Sequence, residues 1–93
     1  MERYEDRLSS INSLQQGAVL LNKKLNYLGN HATVKNAKDV AVFANGLALQ
    51  LDMLSDAIPQ DLRARRVTLE EYEILSSELE NARSLLNMLG VEG

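Results

Sequence analysis

The sequence predicts an all-α fold, an antiparallel three-helix bundle with helices over about 3–28, 34–57 and 69–89 that assembles into a helical oligomer. Three observations predict it. Apolar residues recur at three- and four-residue spacing along most of the 93 residues. Start and stop signals divide that pattern into three segments. The connections between the segments are short, which makes consecutive helices antiparallel neighbours of similar length, about 30–40 Å each at 1.5 Å per residue.

In the first segment, Tyr4, Leu8, Ile11, Leu14, Ala18, Leu21, Leu25 and Leu28 form one apolar stripe, in a four-three heptad rhythm from Leu14 onward. Val19 and Leu20 widen it where Gly17 and Ala18 let another helix come near. Arg7, Asn12, Gln16, Lys23 and Asn26 make the opposite face polar. Gly29, at the C′ position, is expected to stop this helix, with Asn30 as further turn chemistry.

The middle of the chain, Val40 to Leu54, is almost wholly apolar and has two readings. At period 3.6, Lys38, Asn45, Asp52 and Asp56 fall on one narrow line and every other face is apolar, which describes a helix buried nearly all round. At period 2, Leu47, Leu49, Leu51 and Met53 alternate with Ala48, Gln50 and Asp52 around Asn45-Gly46, which describes a hairpin at 40–53 in an α+β fold. The helix is preferred. Its residues are Ala and Leu more than β-branched types, the three-four spacing extends from Val34 to Ile58, and a lone hairpin has no third strand to pair with. Gly46 then costs about 1 kcal/mol inside a helix, and the expected return is close approach of a neighbouring backbone. Thr33 is the expected N-cap, and Ile58-Pro59 the expected end near Ala57.

Val67-Thr68-Leu69-Glu70-Glu71-Tyr72 is the best local signal. Thr68 and Glu71 make a capping box, and Val67 with Tyr72 a hydrophobic staple. Glu70 and Glu71 also place negative charge at the positive end of the helix dipole. Tyr72, Leu75, Leu79, Ala82, Leu86 and Leu89 follow at three and four, until Gly90 closes the helix with Val91 folded back on Leu86.

Composition bounds the function. Hydrophobic residues at 45% and charged residues at 25% describe one small folded domain over 1–93 rather than a disordered chain. With no Cys, thiol catalysis, disulfides and Cys-based zinc sites are excluded. There is one His, no HExxH and no glycine-rich phosphate loop, so no catalytic residue, metal ligand or cofactor is expected and the chain is read as non-enzymatic. Asp52 and Asp56 lie one turn apart, but no further ligand accompanies them. A net charge of −3 and the lack of aromatic platforms argue against nucleic acid. No signal-peptide pattern and no apolar run of about 18 residues is present, so the cytoplasm is the default and no membrane is expected.

Two functional expectations remain. The central helix carries more apolar surface than one bundle can cover, and Val42, Leu49 and Met53, with Gly46 beside them, are the expected interface of a homo-oligomer, a dimer first, whose function is to bind another protein. The alternative is an oligomeric binder of a small phosphorylated ligand such as a nucleotide. It would use Lys23, Lys24, Lys35 and His31 near the first connection, or Arg63, Arg65 and Arg66 near the second, where Arg3 and Arg7 also fall. Glu2, Glu5, Asp6, Glu70 and Glu71 lie near the second group and offset its charge. Over nine residues, Ile74-Leu75-Ser76-Ser77-Glu78-Leu79-Glu80-Asn81-Ala82, the chain resembles a stretch of the helical-hairpin proteins with which phages sequester cyclic nucleotide signals. This pattern is common to amphipathic helices and assigns no family, so the resemblance implies only a test for nucleotides.

Overall fold

A computed structural model describes residues 3–91 as three helices: α1 (Arg3–Asn30), α2 (Val34–Arg63) and α3 (Leu69–Met88). No strand occurs among the described residues, and α2 runs unbroken through Asn45-Gly46, so the hairpin reading is overturned. Glu2 lies outside the described residues.

The core takes about one side chain per turn from each helix. Ile11, Leu14, Ala18 and Leu21 of α1 meet Leu47, Leu51, Leu54 and Ile58 of α2 and Leu75, Leu79, Ala82 and Leu86 of α3, with Val67 and Val91 also in the cluster. Gly17 is the point of close approach between α1 and α2: a Cβ there would lie 2.5 Å from Leu47 Cδ2. Polar links run along the seams, with Gln15 donating to the Glu78 carbonyl oxygen at 3.4 Å and Arg83 Nη2 donating to Ser55 Oγ at 2.6 Å.

The two N-caps and the closure of α3 are those the sequence announces. Thr33 Oγ1 accepts from the Asn36 amide at 3.0 Å. Thr68 accepts from the Glu71 amide while Glu71 accepts from the Thr68 amide, completing the capping box. At the far end of α3, Gly90 takes a φ of 86° and the Val91 amide donates to the Leu86 carbonyl at 2.9 Å, so Val91 is folded back into the core. The end of α2 repeats this motif without a glycine. Arg65 has a φ of 59°, its amide donates to Leu62, and the Arg66 amide donates to Asp61.

Four expectations are corrected. Gly29 lies within α1 rather than at its C′ position. The two extra residues are held by the His31 amide donating to the Tyr27 carbonyl, by the His31 ring stacked on Tyr27 at 4.2 Å, and by Asn36 Nδ2 donating to the His31 carbonyl. Secondly, Pro59 does not end α2, which continues to Arg63. A proline inside a helix costs about 3 kcal/mol, but continuation buries Ile58 and Asp61 and packs Leu62 against the core, and burying one large aliphatic side chain is worth about 1.5–3 kcal/mol.

Thirdly, Val40 to Leu54 is not enclosed all round. Leu47, Leu51 and Leu54 are buried, whereas Val42, Leu49 and Met53 are exposed. A Cβ placed on Gly46 would meet nothing within 4 Å, so this glycine admits no helix of its own chain. Finally, the helices are unequal, about 42, 45 and 30 Å long at 1.5 Å per residue, within extents of 48 × 21 × 16 Å. The end of α3 sits beside Leu21, Leu25, Ala44 and Ala48, so α1 and α2 continue past it as a two-helix projection.

Two substitutions test this packing by urea denaturation. Arg65→Gly relieves a left-handed backbone and raises stability by about 1 kcal/mol. Gly17→Val drives two methyl groups against Leu47 and lowers it by about 2 kcal/mol.

Candidate functional site

The second basic group is organised around a carboxylate. Continuing α2 past Pro59 carries Asp61 into the bundle, where it is fully buried. Arg7 Nε donates to Asp61 Oδ2 at 2.6 Å and Arg66 Nη1 donates to Asp61 Oδ1 at 3.2 Å. Burial by itself raises the Asp61 pKa; the hydrogen bonds from Arg7 and Arg66 and the charges of Arg7 and Arg3 outweigh it, and the net shift is downward from 3.8. Arg66, expected as a ligand-binding residue, is thus engaged in the chain's own structure. Arg63 and Arg65 are exposed. Sequence reasoning places Arg3 and Arg7 at this end and misses Asp61, because it follows the helix only to Ala57.

The first basic group is split. Lys23 and Lys24 line an open groove of about 430 Å³ between α1 and α2, together with Tyr27, Asn36, Asp39 and Val40. Lys24 Nζ stands 5.3 Å from the centre of the Phe43 ring, a cation–π contact. Asp39 adds a carboxylate to the lining of the same groove, which works against an anion. Lys35 and His31 do not line this groove; both are exposed, and His31 is stacked on Tyr27. Among the described residues, no group of three or more His, Asp or Glu side chains is placed to hold a metal ion. Asp52 and Asp56 are exposed.

An apolar strip lies outside the core. Val42, Leu49 and Met53 are 71%, 64% and 69% exposed. With Gly46 they fall within an arc of about 60° on α2, a strip about 17 Å long, turned away from Leu47, Leu51, Leu54 and Ile58. Lys38, Asn45, Asp52 and Asp56 run along its flank and are exposed. A second apolar patch lies between α1 and α3, where Val19, Leu85 and Met88 line a groove of about 240 Å³ with Ala18, Asn22 and Leu89. Met88 is 82% exposed. Sequence reasoning notes Val19 and misses Leu85 and Met88; the doublets Leu85-Leu86 and Met88-Leu89 carry the signal, since only one member of each fits the core stripe.

No helix is long and apolar enough to cross a membrane among the described residues.

The buried carboxylate gives a pH prediction. The folded pKa of Asp61 is lowered, so the unfolded chain binds more protons as the pH falls. Its stabilisation is therefore present above about pH 4 and is lost as the pH falls through the folded value. Wild type should lose more stability on acidification below about pH 5 than Asp61→Asn does, by urea titration at each pH. At neutral pH, Arg7→Ala should cost about 3 kcal/mol, at the low end for a broken buried pair because Arg66 remains, whereas Arg66→Ala, whose side chain is 48% exposed, should cost under about 1 kcal/mol.

No protein-family model matches this chain, and neither a curated protein nor a solved structure matches it.

Proposed function

We propose that this chain is a small, non-enzymatic helical interaction module that associates with itself through the outer face of α2 and acts by binding another protein, as an adaptor, inhibitor or assembly subunit. The single observation that carries this reading is the strip of Val42, Leu49 and Met53, exposed on the side of α2 opposite the core. Three large apolar side chains in line on one helix cost solvation when left open, and such contiguous surface on a small domain marks an interaction site. The groove at Val19, Leu85 and Met88 lies between α1 and α3, away from that face. Self-association through α2 leaves it open for a second protein.

A second reading, binding of a small phosphorylated ligand, is favoured by Lys23 and Lys24 lining one groove beside Tyr27. Asp39 in the same groove opposes it, and Arg66 is held by Asp61. The apolar reading is therefore the stronger of the two.

Size-exclusion chromatography with light scattering tests the choice. Wild type should run as a dimer at micromolar concentration, and Leu49→Glu as a monomer with an unchanged helical circular dichroism spectrum. A wild-type monomer throughout that range would overturn the self-association reading. A thermal shift with nucleotides or cyclic dinucleotides that disappears in Lys24→Ala would establish the second reading.

A further inference from the structure

We propose that the occupant of the α2 strip is a second copy of this chain laid antiparallel across it, with Lys38 of each copy opposite Asp56 of the other. This rests on the self-association reading and adds its direction and register. The strip is self-complementary about its own midpoint. With a two-fold axis between positions 47 and 48, Val42 faces Met53 of the second copy and Gly46 faces Leu49 of the second copy. The large side chains are thereby set against each other at the ends, and a large one against a small one near the axis. Gly46 has open space around it, with nothing within 4 Å of a Cβ position, so it can receive a leucine from outside.

Charge sets the direction. Lys38, Asn45, Asp52 and Asp56 all flank the same edge of the strip, positive at its N-terminal end and negative at its C-terminal end. In an antiparallel pair, each flank of a helix meets the same flank of its partner. Lys38 then falls beside Asp56 of the second copy, and the two-fold axis repeats the contact. A parallel pair would turn this flank toward the partner's other flank and leave Lys38 and Asp56 about 27 Å apart along the axis. Among the described residues neither Lys38 nor Asp56 has an ion-pair partner within its own chain, so both are free to make this contact.

The absence of cysteine makes the register directly testable. Val42→Cys and Met53→Cys variants, mixed and oxidised, should form the mixed disulfide-linked dimer. Val42→Cys alone should not cross-link, because its two copies stand about 17 Å apart along the axis. Lys38→Glu and Asp56→Lys should each weaken the dimer about tenfold, and the double exchange Lys38→Glu/Asp56→Lys should restore it, with helicity by circular dichroism unchanged throughout. Efficient cross-linking of Val42→Cys to itself, or no rescue by the double exchange, would overturn the antiparallel register. If the dimer still dissociates on Leu49→Glu, the self-association reading survives that result. A wild-type monomer would overturn both.

Discussion

The buried carboxylate of Asp61 is the constraint on which one whole end of the bundle depends. It is the one charged side chain fully buried among the described residues, and it joins three parts of the chain: α2, which carries it; α1, through Arg7; and the segment before α3, through Arg66. Its backbone carbonyl also accepts from the Arg66 amide. A buried charge without partners is strongly unfavourable, so this end has one satisfactory arrangement. The continuation of α2 through Pro59, the left-handed Arg65 and the direction in which the chain enters α3 all accord with keeping Asp61 paired. Removing one partner of such a pair leaves an uncompensated buried charge, which is strongly destabilising.

Local signals are legible in the sequence where the physics is local. The capping box at Thr68 and Glu71, the N-cap at Thr33 and the closure at Gly90 each involve residues within a few positions of one another. The three-four spacing likewise picks out the core side chains of α1 and α3 and, in α2, Leu51 and Ile58. Misreadings arise where tertiary contacts outweigh a local rule. Pro59 is a stop signal that burial of Ile58 and Asp61 overrides. Gly29 is a stop signal overridden by the His31–Tyr27 stack and the hydrogen bond from Asn36. The close approach expected at Gly17 is present, with Leu47 against it, whereas Gly46 meets no helix of its own chain; a sequence shows that a glycine makes room but not which helix comes to fill it. Of the candidate ligand-binding residues, Lys23 and Lys24 share a groove, while Arg66 serves the fold. No sequence pattern distinguishes an arginine that awaits an anion from one whose carboxylate lies in another helix.

The two apolar surfaces outside the core have different origins. On α2 the strip arises because an almost wholly apolar helix has only one side to give to two neighbours. Between α1 and α3 the patch arises from doubled residues at positions where a single one fills the core. The two faces lie on separate sides of the domain, so each can be occupied without displacing what sits on the other.

The unequal helices also divide the molecule by rigidity. Where α3 covers α1 and α2, the backbone hydrogen bonds lie over a shared core and open only when that core does. Beyond Leu25 and Ala44 the two longer helices have mainly each other, with Val34 and Tyr27 largely exposed. Amide protons there exchange through local fraying, at a free energy well below that of global unfolding. Val42 stands on the projecting side of this boundary and Met53 on the covered side, so a protein seated along the strip would bridge both and extend the protected region toward the loop at His31.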